Sequence, residues 1–123
     1  MIVLPRAVRI YVATSPVNLR KSFDGLMSEV RSRFGADPLS GHVFVFLNRR
    51  QTMVKLLVWT RGGFTVVHKR LERGTFAFAR GLSERSGSVE IDAHELMMLL
   101  EGIELGGART SRRWEPSQHT RAA

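Results

Sequence analysis

The spacing of hydrophobic residues changes several times along the first half of the chain. Hydrophobic and polar residues alternate over residues 7–13, and this period of two, with β-branched residues, predicts a strand. From Ser22 hydrophobic residues recur at steps of three and four and stop before Gly35, which predicts an amphipathic helix. A continuous hydrophobic run at residues 43–47 then predicts a buried strand.

Two further strand-like runs, residues 52–59 and 64–69, flank Gly62 and Gly63, which predicts a β-hairpin. Because side chains alternate between the two faces of a strand, one face of the hairpin carries a mostly apolar set, which we expect to pack against the core. The opposite face mixes cations with hydrophobic and aromatic side chains: Lys55, Leu57, Trp59, Arg61, Phe64, Val66, His68 and Arg70. This sorting assumes a two-residue turn centred on Gly62-Gly63. A two-residue turn one position earlier leaves the faces unchanged, whereas a three-residue loop exchanges them.

That mixed face has two interpretations. Bases stack on aromatic rings while cations neutralise phosphates, so the face is typical of a nucleic-acid surface. Alternatively, Leu57, Trp59, Phe64 and Val66 are buried under a helix, with the cations at the rim.

The second half of the chain contains fewer clear elements. Residues 71–79 are ambiguous, and residues 80–87 form a polar loop. Asp92 and Glu95 have capping-box spacing and predict a second helix through Ile103. We therefore expect one α+β domain over residues 1–105. It has a small antiparallel sheet of about four strands with a central hairpin, packed by two helices. Residues 106–123 are expected to be a flexible basic tail.

Charge then narrows the class of partner. The chain has 19 Lys and Arg against 11 Asp and Glu, a net charge of +8, which favours polyanions. Seven basic residues and one acidic residue lie between positions 49 and 73. The predicted nucleic-acid-binding residues are Arg49, Arg50, Lys55, Arg61, Lys69, Arg70 and Arg73. Possible partner or stacking contacts are Trp59, Phe64 and His68. With no visible signal peptide or membrane span, a cytoplasmic location is expected.

Catalytic and metal-binding constellations are not found in the sequence. There is no cysteine, and the four histidines are scattered without a metal-binding spacing. Asp24, Asp37 and Asp92 could cluster around Mg²⁺, but each also fits a helix-start or turn role. We therefore expect no cofactor, no metal site and no enzymatic activity.

Several blocks in order resemble a known family. They are residues 20–26 (RKSFDGL), 37–46 (DPLSGHVFVF), 48–50 (NRR), 55–59 (KLLVW), 69–76 (KRLERGTF) and 99–103 (LLEGI). This pattern resembles the TnpB accessory proteins of the IS66 family of bacterial insertion sequences. The resemblance implies a protein encoded beside a DDE-type transposase and needed for efficient transposition, with no accepted catalytic residues.

The resemblance leaves two functional hypotheses open. In the first, the protein is a non-catalytic accessory factor that binds DNA through the basic hairpin. In the second, it is a protein-interaction module that docks on the transposase without contacting DNA directly. Family members tend to have more aromatics in the hairpin, where this chain has Val58, Thr65, Val67 and His68. That difference favours phosphate contacts over base stacking.

Overall fold

The computed structural model describes residues 8–76 and 87–102. The described strands, in chain order, are β1 (Ile10–Ala13), β2 (Val43–Leu47), β3 (Met53–Thr60), β4 (Gly63–Arg70) and β5 (Ser88–Ile91). Between β1 and β2 lie helix α1 (Phe23–Glu29), its π-helical extension (Val30–Phe34) and a 3-10 turn (Pro38–Ser40). Helix α2 (Ala93–Leu100) follows β5. The predicted tail at residues 106–123 lies outside the described residues. Helix α2 ends at Leu100, earlier than the predicted end at Ile103, because Gly102 takes a left-handed φ of 82° that breaks the helix.

Within the described residues, five strands form one sheet in the order β4-β3-β2-β1-β5. The α+β class is confirmed, but the sheet differs from the prediction in two details. First, β1 and β2 are parallel, because α1 carries the chain back across the sheet between them. Second, β5 adds a fifth strand antiparallel to β1. Four residues are too few for an alternating pattern to stand out, which is why the sequence did not predict it.

Each face of the sheet packs against one helix. On the α2 face, Leu96 and Leu99 of the helix pack with a cluster that includes Val12, Val45 and Leu56. On the α1 face, Leu26 and Val30 pack with a second cluster: Ala13, Val17, Leu19, Phe44, Phe46 and Leu57. The described part of the fold is therefore three layers, helix on sheet on helix, with a hydrophobic core on each side.

The hairpin register sorts the side chains as the alternation predicted. Thr60 pairs with Gly63 and Trp59 with Phe64, so the loop is Arg61-Gly62, one residue earlier than the Gly62-Gly63 centre. Both loop residues have positive φ, 41° and 83°, as a type I′ turn requires. Because this loop still has two residues, the predicted sorting of side chains between the faces is confirmed.

Local signals also fixed the helix ends. The Asp92 carboxylate accepts a hydrogen bond from the Glu95 backbone N–H (2.7 Å), and the Glu95 carboxylate accepts one from the Asp92 N–H (3.0 Å). This is the predicted capping box. Gly35 ends the first helical segment with φ 60°. Over residues 8–76 and 87–102, no helix combines the length and apolar character needed to cross a membrane.

Candidate nucleic-acid interface

The sheet separates the predicted binding residues into two groups. At one end, which we call the turn end, β2 finishes, β3 begins and β4 finishes, so that Met53 pairs with Arg70. At the opposite end, the hairpin loop carries Arg61. The seven residue steps along β3 place about 23 Å between the two ends. Arg61 therefore does not share a contact surface with the arginines of the turn end.

The turn that joins β2 to β3 is held by the side chain of Asn48. Its Oδ1 accepts hydrogen bonds from the backbone N–H groups of Thr52 and Met53, both at 2.9 Å. Its Nδ2 donates to Thr52 Oγ1 at 3.0 Å. The Gln51 N–H donates to the Asn48 carbonyl at 3.0 Å, so Arg49 and Arg50 occupy the two middle positions of a β-turn. Both arginine side chains project from this pinned turn and are exposed.

The chain after β4 lies against the same turn. The Leu71 N–H donates to the Thr52 carbonyl (2.9 Å), and the Phe76 N–H donates to the Gln51 carbonyl (2.6 Å). The Phe76 ring is fully buried in the core of the α2 face and anchors this segment. Between these two attachments lies Arg73, which is exposed. The segment therefore holds Arg73 beside the turn.

Arg70 is the fourth exposed arginine at the turn end. Its guanidinium lies 3.5 Å from the Glu72 carboxylate, and the two side chains are 68% and 63% exposed. An ion pair this exposed is worth at most about 1 kcal/mol, so an anionic ligand can displace Glu72. We call the set Arg49, Arg50, Arg70 and Arg73 the arginine cluster.

The two predicted lysines lie on opposite faces of the sheet and bind carbonyl groups of the same chain. Lys55 Nζ donates to the Lys21 carbonyl at 2.9 Å on the α1 face. Lys69 Nζ donates to the Leu100 carbonyl at 2.6 Å, at the C-terminus of α2. A cation at this position satisfies a carbonyl left free at the helix end. Both lysines thus hold neighbouring segments on the sheet, one on each face.

The mixed face of the hairpin is largely a core face. Leu57 is fully buried, and Phe64 and Val66 pack against the cluster on the α1 face. Trp59 is half-buried and packs edge-on against Phe64, with ring centroids 4.9 Å apart. His68 is exposed and lies opposite Lys55. Of the two interpretations of this face, burial holds for Leu57, Phe64 and Val66.

A half-buried ionic network on the α1 side was not predicted. The Glu29 carboxylate accepts hydrogen bonds from Lys21 and Arg33, and its side chain is 13% exposed. Burial by itself raises the Glu29 pKa, but hydrogen bonds from Lys21 and Arg33 and their charges outweigh it and hold the pKa below its usual value. The Glu29–Arg33 spacing of four residues is visible in sequence, whereas the long-range contact to Lys21 is not.

Asn48 is the site residue that sequence reasoning missed. An Asn before a short polar stretch is a turn signal, because its side chain commonly bonds to nearby backbone N–H groups. That signal was present beside Arg49 and Arg50, but Asn48 carries no charge and was not placed in the predicted site. Its three side-chain hydrogen bonds make it the residue that sets the conformation of the turn.

The three aspartates that were considered as possible Mg²⁺ ligands have separate local positions. Asp37 Oδ1 accepts a hydrogen bond from the Leu39 N–H at 2.9 Å, and Asp92 caps α2. Asp24 lies in the first turn of α1. In the part of the chain that the structure describes, no three His, Cys, Asp or Glu side chains converge as metal ligands would.

The arginine cluster offers charge-assisted hydrogen bonds to an anionic ligand.

Comparison with known proteins identifies the family. The model of the family described as IS66 Orf2-like protein matches residues 8–110. The chain belongs to this family. The uncharacterized protein y4jC of Sinorhizobium fredii is 34% identical over 99 residues, covering 80% of this chain and 82% of that protein. The uncharacterized protein y4hO of the same organism is 31% identical over 112 residues, covering 90% and 92%. No solved structure matches the chain.

Membership of the IS66 Orf2-like family supports an accessory role in an insertion sequence. The family is not known as catalytic. The matched range contains every predicted binding residue, including the whole arginine cluster. The resemblance first drawn from the sequence blocks is therefore confirmed.

Proposed function

We propose that this IS66 Orf2-like protein is a non-catalytic accessory factor in DNA transposition that binds DNA through the arginine cluster. The observation that carries the proposal is that four exposed arginines lie at the same end of the sheet, the turn end. Their positions are set by the Asn48 turn and the segment anchored at Phe76. A cytoplasmic location, where the protein would meet its DNA, is part of the same proposal.

The chemistry of arginine supports this choice of ligand. A guanidinium is planar, remains charged at all physiological pH values and forms paired hydrogen bonds with phosphate oxygens. Each phosphate neutralised by a protein cation also releases condensed counterions from the DNA, which drives binding at low salt. Four such side chains at one end of the sheet would supply this effect without any catalytic group.

The proposed contact set is smaller than the seven residues predicted from sequence. Lys55 and Lys69 already donate to carbonyl groups of the same chain, and a phosphate contact would compete with those bonds. Arg61 is about 23 Å away, at the other end of β3. It therefore belongs to a separate point of contact or to none.

Removing two arginines of the cluster tests the proposal. The variant Arg49→Ala/Arg50→Ala is compared with the unchanged protein by fluorescence anisotropy on a labelled duplex at ~50 mM salt. We expect at least a roughly tenfold loss of affinity, because two charge-assisted contacts are removed. The control is Arg9→Ala, since Arg9 is exposed and lies at the sheet end opposite the cluster. Equal effects of the two changes would refute the assignment.

A second candidate function is docking on the transposase without direct DNA contact. The observation that favours it is strand β4, which lies at the edge of the sheet within the described residues. An eight-residue edge strand presents unpaired backbone groups to which a partner strand can add. This candidate predicts co-purification with the transposase that survives nuclease treatment and high salt. Loss of the complex on nuclease digestion would exclude it.

A further inference from the structure

The width of the turn end limits how it can meet DNA. The loop after β1 flanks the turn on one side, where the Val17 N–H donates to the Leu47 carbonyl at 2.9 Å. The segment holding Arg73 flanks it on the other side, through the bonds to Gln51 and Thr52. Four chain segments therefore lie side by side: the loop after β1, strand β2, strand β3 and the segment holding Arg73. At the spacing of neighbouring strands, these four segments span about 14 Å. A major groove about 12 Å wide does not admit such a surface.

Because four backbones side by side are wider than the groove, they rest against its rim, and the arginine side chains meet phosphates there before any base edge. The rim consists of sugar and phosphate, which present the same chemistry for every base sequence. Direct sequence readout needs side chains at base edges inside a groove. The geometry of the turn end therefore favours contacts that are independent of sequence.

On the described strands and segment that build this end, the aromatic side chains do not form a stacking surface. Phe46 and Phe76, on the elements that build it, are fully buried. His68 is exposed on β4, but a single ring is not the series of stacking platforms that single-stranded DNA uses. The edge-on pair Trp59–Phe64 is next to the hairpin loop at the opposite end. Among the described parts of β2, β3, β4 and the segment to Phe76, unstacked bases would therefore find little to bind beside the arginines.

The charge density of the cluster also favours a duplex over a single strand. With Glu72 included, the cluster has four cations and one anion. A duplex carries about one negative charge per 1.7 Å of its axis, and both its charge density and its salt slope per contact exceed those of a single strand. A site that relies on charge alone therefore prefers the duplex.

We infer that the ligand of the arginine cluster is the phosphodiester backbone of duplex DNA, bound without reading base sequence. This inference rests on the proposed DNA-binding function and specifies its substrate class. It assigns the choice of DNA site to another component of the transposition system. The cluster would supply affinity, and the other component would supply sequence recognition.

The test uses the full chain and three labelled probes of equal length, about 20 nucleotides per strand. One is a mixed-sequence duplex, one is a duplex of the same composition in shuffled order, and one is a single strand of the first. We expect the two duplexes to bind within about twofold of each other and the single strand to bind at least about fivefold more weakly. The slope of log K against log salt on the duplex should be about −3 to −4 for four contacts.

The outcomes separate the inference from the proposed function. A preference for the single strand, or a difference above about tenfold between the duplexes, would overturn the inference while DNA binding stood. Failure to bind any probe at ~50 mM salt would overturn both. The variant His68→Ala provides a further check. If it weakens binding of the single strand and leaves binding of the duplexes unchanged, base stacking on His68 contributes to single-strand binding.

Discussion

The turn that presents Arg49 and Arg50 should depend on the side chain of Asn48. In the variant Asn48→Ala, the backbone N–H groups of Thr52 and Met53 lose their acceptor, and the Thr52 hydroxyl loses a donor. These groups are half-buried, so water compensates only in part. At about 1 kcal/mol for each lost bond, we expect the free energy of unfolding to fall by about 2–3 kcal/mol.

Thermal unfolding followed by circular dichroism measures this loss. A domain of 123 residues shifts its Tm by about 3–5 °C per kcal/mol, so the Tm should fall by about 10 °C. The matched control is Asn18→Ala, because the Asn18 side chain accepts a single exposed hydrogen bond, from the Arg20 N–H. Its effect should stay below about 1 kcal/mol. Asn48→Asp retains the Oδ1 atom that accepts both backbone hydrogen bonds and should recover most of the lost stability.

The same variant should also bind DNA more weakly while it is still folded. A turn that is no longer pinned must be ordered on binding, and ordering a single residue costs about 1 kcal/mol, which corresponds to a loss of affinity of at least about fivefold. Affinity is measured at 25 °C, well below the Tm of the variant. A Tm within about 2 °C of the unchanged protein, or an unchanged affinity despite a lower Tm, would refute this account of the turn.

Three further predictions follow from single contacts. Arg61→Asn should raise the free energy of unfolding, measured by urea denaturation, by about 0.5–1 kcal/mol, because Asn tolerates the positive φ at that position better. A loss of stability would show that the positive φ of Arg61 does not strain the turn. Lys69→Ala should lower stability by about 1–2 kcal/mol while leaving the salt slope of DNA binding unchanged; a shallower slope would place Lys69 in the interface. The folded-state pKa of Glu29 is lowered, so its contribution is present above the unfolded pKa of about 4.3 and is lost as the pH falls through the folded value. Glu29→Gln should therefore lose stability at pH 7 and much less at pH 3, measured as Tm at both values; an equal loss at both would contradict it.

Local features of the fold were predictable because their signals lie within a few residues of each other. The Gly62 loop, the alternation around it and the spacing of Asp92 and Glu95 were enough for the hairpin faces and one helix cap. The parallel pairing of β1 with β2 was not predictable in the same way. It depends on where α1 packs across the sheet, and that is set by contacts between distant residues such as Leu26 and Phe44.

In the candidate site, too, the local features were predictable from the sequence and the long-range contacts were not. Closeness in sequence suggested that all the cations from Arg49 to Arg73 share one surface, but β3 and β4 are long enough to separate Arg61 from the rest. The contacts of Lys55 and Lys69 cross 34 and 31 residues of chain, and no local pattern reveals them. Charge alone therefore overestimated the number of free cations in this segment.

Chemical-shift mapping of the ¹⁵N-labelled protein during titration with a duplex tests the central claim most directly. The account predicts that the largest shifts fall on the backbone amides of residues 49–51 and 70–73 and on the side-chain Nε–H groups of the arginine cluster. Residues of α2 and β5 should change little. The largest shifts on α2 or around Arg61, with the arginine cluster unaffected, would contradict the assignment of this surface to DNA.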